Sequence, residues 1–343
     1  MFDNIIGNDH LKESLSRFAA EDRLPRSMIF AGPEGVGKRL FAIEVARSFV
    51  CRVLQGLPCG KCPACVRAGQ IDLPDPDDKD DFKKVIFTNH PDVGMVAAAK
   101  RFILVDAIRD LENEARFRPY EGAARTFIVN DADRMNDAAS NALLKTLEEP
   151  AETSRIIVIT SRPDSLLPTI RSRCQTLRFA PVPSSQIERF LVEKQAASRD
   201  EAALAARLAR GSVGRAVAIN AAQYTAQRER LLSVLRNAIE RRDRIALLRI
   251  SDELNDAKNK DRFEENLEVL ETLIHDIWSI SVTGTSRNIV NADVSDSLVR
   301  LAEEADNSDL TTWLGEIQAI RENLAVNINR KMNTDALFVK MAA

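Results

Sequence analysis

Aromatic residues are scarce in this chain of 343 residues: they make up 5% of it, with two tryptophans and two tyrosines. Alanine, leucine, arginine and glutamate are plentiful instead, a balance that favours a helix-rich protein. Long apolar runs are missing too. No stretch of 18 or more apolar residues occurs, which excludes an ordinary membrane-spanning helix. The opening Met1-Phe2-Asp3-Asn4 has no basic stretch followed by an apolar one, so no secretory signal is expected and the expected compartment is the cytoplasm. The formal net charge is only −3. With no clustered aromatics either, an autonomous nucleic-acid-binding module gripping through its whole surface is disfavoured. Cysteine is also rare, at five, but four of the five fall between positions 51 and 65. In a chain without an export signal, that clustering points to a metal rather than to disulfides.

Hydrophobic residues at 45% and charged residues at 29% describe a globular chain whose length suits two or three domains. Its first half alternates short β-branched runs with helical periodicity. Residues 27–31, 85–88, 126–129 and 156–160 read as strands, and 39–50, 102–116 and 137–149 as helices. Near-continuous apolar strands alternating with helices predict a parallel sheet covered on both faces. The segment 72–81 is acidic, carries prolines and lacks periodicity, so a solvated loop is expected. Pro181 and Pro183 punctuate a linker, after which every pattern is helical, including 228–239, 263–283 and 310–327.

Gly32-Pro33-Glu34-Gly35-Val36-Gly37-Lys38 follows the first strand and opens a helix. Gly32, Gly35 and Gly37 let backbone N–H groups close around phosphate oxygens, and Lys38 reaches the terminal phosphates. The next position calls for a hydroxyl that ligates Mg²⁺, but it is Arg39, which has no acceptor. A second departure follows the strand at 127–129. An aspartate for the metal and a glutamate for water are expected there, and the chain offers Asn130, Asp131, Ala132 and Asp133. Shifting by one makes Asp131 the metal carboxylate but leaves Ala132 at the base position. Efficient hydrolysis by this chain is therefore not expected, while ATP binding through Lys38 stays open.

Cys51, Cys59, Cys62 and Cys65 read C-x₇-C-x₂-C-x₂-C. Four thiolates complete a tetrahedral Zn²⁺ with no place for a reactive water, which makes a structural site. The overlapping C-x₂-C-x₂-C spacing also suits an iron–sulfur cluster. His90, in Asn89-His90-Pro91-Asp92, reads as a turn residue rather than a further ligand.

Phe117-Arg118-Pro119-Tyr120-Glu121-Gly122, the run 130–136, Asn141-Ala142-Leu143-Leu144-Lys145-Thr146-Leu147-Glu148-Glu149-Pro150 and Ile170-Arg171-Ser172-Arg173-Cys174 carry a resemblance to the clamp-loader subunits of bacterial DNA polymerase III, which are AAA+ proteins. The match is dense from residue 1 to about 220 and architectural beyond. The altered metal motifs look like the delta-prime branch of that family rather than the ATP-hydrolysing gamma/tau branch, which is the alternative. The resemblance implies a hetero-oligomeric ring with gamma/tau and delta subunits, acting with a sliding clamp and primed DNA. It also implies that Arg173 is an arginine finger completing a neighbour's ATP site, against the plainer reading of an ordinary surface arginine. Such a finger is worth roughly 10³–10⁵ in rate. Thr160 matches the γ-phosphate sensor and Arg215 the second sensor, and both are equally open to a structural role. Zinc is what the resemblance implies at the cysteines, and Cys174 reads as a small packed residue. The expected architecture is an α/β AAA+ domain (1–178) with a zinc insertion (51–65), a small helical lid (179–222) and an all-α collar (223–343). Polymerase chemistry is not encoded; any such label would come from membership of the holoenzyme. Lys100, Arg101 and Arg109 read as a solvated face before they read as a DNA contact.

Overall fold

The computed structural model describes residues 1–54, 56–75, 77–256, 262–287, 289–323 and 329–342. The tail of the helix expected at 310–327 and Pro76 of the acidic segment lie outside the described residues. The chain forms two compact units, Met1–Ala197 with Ala209–Ala218, and Ser198–Leu208 with Ile219–Ala343.

In the first unit the order is α1 (Asp9–Ala20), β1 (Ser27–Ala31), α2 (Lys38–Val50), α3 (Pro63–Ala68), β2 (Ile86–Phe87), β3 (Val93–Val96), α4 (Val105–Glu114), β4 (Arg125–Val129), α5 (Asp137–Glu148), β5 (Ser154–Thr160), α6 (Pro168–Arg171), β6 (Gln175–Arg178) and α7 (Ser184–Gln195). The six strands lie in the order β2-β3-β4-β5-β1-β6, all parallel except the antiparallel β2–β3 pair. Every residue of β1, β3 and β4 is buried, as a sheet covered on both faces requires. One apolar cluster joins α1 and α2 to the sheet through Leu15, Phe30 and Phe41. A second joins α4 and α5 through Ile108, Phe127 and Leu143.

Two local differences from the sequence pattern have simple causes. The helix expected from Phe102 starts at Val105, because Phe102 and Ile103 are drawn into isolated β-bridges with Ala99 and Met135. The strand Val93–Val96 carries no clear pattern, being four residues with a glycine inside. Gly94 is required there, since a Cβ would lie 2.4 Å from Val85 Cγ1.

The second unit takes in α8 (Arg199–Leu208), whereas the next helix, α9 (Val213–Ala218), belongs to the first. It continues with α10 (Ala221–Arg236), extended by a π-helical turn at Asn237–Arg241, then α11 (Arg244–Leu254), α12 (Phe263–Thr283), α13 (Ser295–Glu304), α14 (Asn307–Asn323) and α15 (Arg330–Met341). Their inward residues, among them Leu235, Leu273, Ile277, Trp313 and Phe338, form one core. Buried Arg228 is paired with Asp293, and buried Asp276 accepts hydrogen bonds from the backbone of Val290 and Asn291. No helix among the described residues is long and apolar enough to cross a membrane.

Candidate functional site

β5 lies between β1 and β4, with Thr160 opposite Ala31 and Val158 opposite Val129. The C-terminal ends of these three strands therefore bring the glycine loop, the Asn130–Asp133 turn and Thr160 together, where open parallel sheets bind ligands. Gly32 N–H donates to the Thr160 carbonyl at 3.2 Å, which fixes the start of the loop to β5. Gly32, Gly35 and Gly37 all have positive φ, and Gly37 ends the loop as the residue preceding α2. At Gly35 the need for glycine is also steric, because a Cβ would stand 2.0 Å from Ser212 Oγ. Segment 209–218 sits on the crest of the loop, and Gly214 N–H donates to the Gly35 carbonyl at 3.0 Å.

Lys38 is buried, and its ammonium donates to the Gly32 and Pro33 carbonyls at 2.5 and 2.6 Å. Burial lowers its pKa, while Asp131, Glu34 and Asp133 oppose that shift. Asp131 is in the left-handed region at φ 53°, burial raises its pKa, and it accepts a hydrogen bond from the Asn130 amide at 3.0 Å. Arg39 is exposed on the first turn of α2. Of the positions that would handle a metal, Arg39 and Asn130 offer no anionic oxygen and Asp131 does, while the following Ala132 offers water no base. Arg215, on α9, is exposed, and its N–H donates to Ser212 Oγ at 3.2 Å.

Thr160 is fully buried, and its hydroxyl donates to Asp133 Oδ1 at 2.9 Å. Asp133 also accepts from Ser161 N–H at 3.2 Å and from Arg162 Nε and Nη2 at 3.1 and 3.0 Å. Burial alone would push the Asp133 carboxyl up; the bonds from Arg162, Thr160 and Ser161 outweigh it and hold the carboxyl below its ordinary range. Sequence reasoning placed Asp133 in the acidic run without finding these partners, which lie 27 to 29 residues away.

Arg173 follows α6 on an exposed stretch. Its Nη2 is 2.8 Å from Glu148 Oε1 at the end of α5, and its Nη1 donates to the Thr169 carbonyl at 3.0 Å. Neighbouring Cys174 packs against the second core cluster, and burial pushes its thiol up to about 12, so it is inert at neutral pH. Lys100 and Arg109 are paired with Asp77 and Asp106, as a solvated charged face would be.

The sulfurs of Cys51, Cys59, Cys62 and Cys65 all lie within 4.8 Å of one another. Four ligands at about 2.3 Å from a tetrahedral ion are separated by roughly 3.8 Å, so this cluster fits a metal. Backbone N–H groups of Cys59, Cys62 and Cys65 point at the sulfurs of Cys51, Cys59 and Cys62 at 3.3–3.5 Å. Such bonds, from Lys61 and Cys62, lower the Cys59 thiol to about 6, while burial raises Cys65 to about 12. The module is tied to the α/β unit by Arg67, which grips Glu121 with both terminal nitrogens at 3.2 and 2.6 Å. His90 is not among the ligands; its Nδ1 accepts from Asp92 N–H at 3.2 Å, in a turn.

Comparison with known proteins follows this division of the chain. The family model for the DNA polymerase III delta subunit matches residues 7–183, and that for its C-terminal part matches residues 222–340. The DNA polymerase III subunit delta' of Escherichia coli is 30% identical over 314 residues, covering 90% of this chain and 86% of the relative. That of Bacillus subtilis is 29% identical over 310 residues, covering 90% and 88%. The DNA polymerase III subunit gamma/tau of Mycobacterium tuberculosis is 32% identical over 193 residues, which span 55% of this chain and 30% of that relative.

Proposed function

This chain belongs to the DNA polymerase III delta-subunit family, and from that premise we propose that it is the delta-prime subunit of a cytoplasmic clamp loader. It supports ATP-dependent loading of a sliding clamp on primed DNA, in a ring with gamma/tau and delta subunits. Its contribution to hydrolysis is Arg173, supplied in trans to the ATP site of a neighbouring gamma-type subunit, where a guanidinium stabilises the charge developing on the transferred phosphoryl group. The observation that carries this reading is the mismatch within the chain. Its own metal-handling positions are occupied by exposed Arg39, by Asn130 and by Ala132, whereas Arg173 stands on the surface beside α5. A subunit built this way has little use for ATP of its own and a clear use at another subunit's site. The three functional parts proposed are the AAA+ domain (1–178), the lid (179–222) and the collar (223–343).

At the cysteines we propose structural zinc. Bound there, it would deprotonate all four thiols, Cys65 included, and contribute folding energy to the 51–69 segment. Cys51 and Cys59 enter from the chain after α2, Cys62 and Cys65 from the start of α3, and Arg67 anchors the result on Glu121.

The test is ATP hydrolysis by the purified chain, alone and then mixed with a gamma-type ATPase, clamp and primed DNA. No turnover alone and faster turnover in the mixture than by the ATPase without this chain are expected. Robust turnover by the isolated chain would make it a gamma/tau-type motor instead.

A further inference from the structure

We propose that Asp133 is a positioning residue for Arg173: it clamps the end of β5 and fixes the surface segment that presents the finger. This rests on the trans role given to Arg173 above and adds the residue that sets its placement.

Resemblance assigns the hydroxyl at the end of β5 to sensing a γ-phosphate. In this chain the Thr160 hydroxyl hydrogen is directed at Asp133 instead. A hydroxyl has one proton to donate, so while that bond stands it has none for a phosphate. The same carboxylate takes the N–H of Ser161 and both Nε and Nη2 of Arg162, four donors from three consecutive residues. Its side chain is only 5% exposed. Arg162 N–H in turn donates to Thr160 Oγ1 at 3.0 Å, which closes the clamp on itself.

From Arg162 the order is passed on by short contacts. The Arg162 carbonyl accepts from Ser165 N–H and Oγ at 3.1 and 2.7 Å, and Asp164 pairs with Arg171 at 2.9 Å. Leu166 and Ile170 are buried in the core beneath. The Thr169 carbonyl then takes Nη1 of Arg173, and Glu148 takes Nη2. The finger is thus the last link of a segment whose first link is held by one fixed anion. An inserted catalytic group gains most of its value from placement, and an error of about 1 Å can cost roughly a hundredfold.

The experiment is steady-state ATP hydrolysis by the reconstituted clamp loader with clamp and primed DNA, carrying wild-type chain, Asp133→Asn, Thr160→Val, the double variant or Arg173→Ala. Assembly is checked by gel filtration. Asp133→Asn is expected to lower kcat about tenfold or more with the KM for ATP unchanged and the complex intact, because the finger acts on the transition state. Thr160→Val is expected to lower kcat as well, and the double variant to be no worse than Asp133→Asn, since both break one clamp. An unchanged kcat for Asp133→Asn, or losses that multiply in the double variant, would overturn the proposal. Should Arg173→Ala leave the rate intact, the finger reading fails and takes this one with it. Should Arg173→Ala abolish stimulation while Asp133→Asn does not, only this inference fails.

Discussion

Asp92 and Asp133 each hold together backbone that the chain delivers from far away. The buried Asp92 carboxylate accepts the N–H groups of Tyr120, Glu121 and Gly122, all at 2.8 Å, and lies 3.8 Å from buried Arg125. Replacing it by alanine takes the shared acceptor from three backbone N–H groups, while Arg125 keeps its bonds to the carbonyl and carboxylate of Glu114 at 2.7 and 2.8 Å. Asp92→Ala is expected to lower the unfolding free energy by about 2–3 kcal/mol in a urea titration; a loss below about 1 kcal/mol would contradict that assignment. Asp133 gives a pH signature. A carboxyl held below its ordinary value of 3.8 stabilises the fold at every pH above that value, and the contribution disappears as pH falls through the lower, folded value. Wild type and Asp133→Asn should therefore differ in stability at neutral pH and converge below pH 3.8, as followed by thermal melts across the acid range. A gap that persists in acid would mean that the variant damages something other than this charge. Neither role was legible in the sequence. The partners are 27 to 33 positions away, and nothing about an aspartate after a histidine-proline pair, or in an acidic run, announces which loop it will serve.

At the scale of elements, legibility followed the reach of the chemistry. The glycine loop, the strand before it and the helix after it could be read directly, because φ > 0 at glycines and an apolar five-residue run are local requirements. The cysteine cluster could be read because C-x₂-C bites are local as well. The strand Val93–Val96 could not, since its one glycine answers to Val85 across the sheet edge. Nor could the seating of segment 209–218 on Gly35, which only the folded unit creates. The cysteine module carries a prediction at this scale. If zinc holds it, a chelator that strips the metal should remove hydrogen-exchange protection from α3 and residues 51–69. β1, β4 and β5 should stay protected, since their cores contain no module residue other than Leu57 at the margin. Protection of α3 that survives metal removal would show that the Arg67–Glu121 pair and local packing suffice. An exposed or half-exposed ion pair of that kind contributes about 0–1 kcal/mol, which makes survival unexpected.

For the whole molecule, the largest apolar clusters draw on different parts of the chain. One is built from residues 231–342, and the others from residues 2–179. Two separate cores are expected to unfold as more than one cooperative step. Calorimetry should resolve two transitions, of which only one moves on adding a chelator; a single transition would mean that the units are strongly coupled. The arginine chemistry also makes most sense at this scale. Within the chain Arg173 merely answers Glu148, and Arg39 faces solvent. Next to another subunit's ATP, a side chain of the first kind becomes part of an active site. The most direct measurement is the ATP turnover of the reconstituted clamp loader with clamp and primed DNA, comparing wild-type chain with Arg173→Ala and Arg173→Lys. Alanine is expected to remove the stimulation by roughly 10³-fold or more, and lysine to recover little of it, because a point charge cannot replace the planar fork. Full stimulation by the alanine variant in an intact complex would contradict the finger role of Arg173.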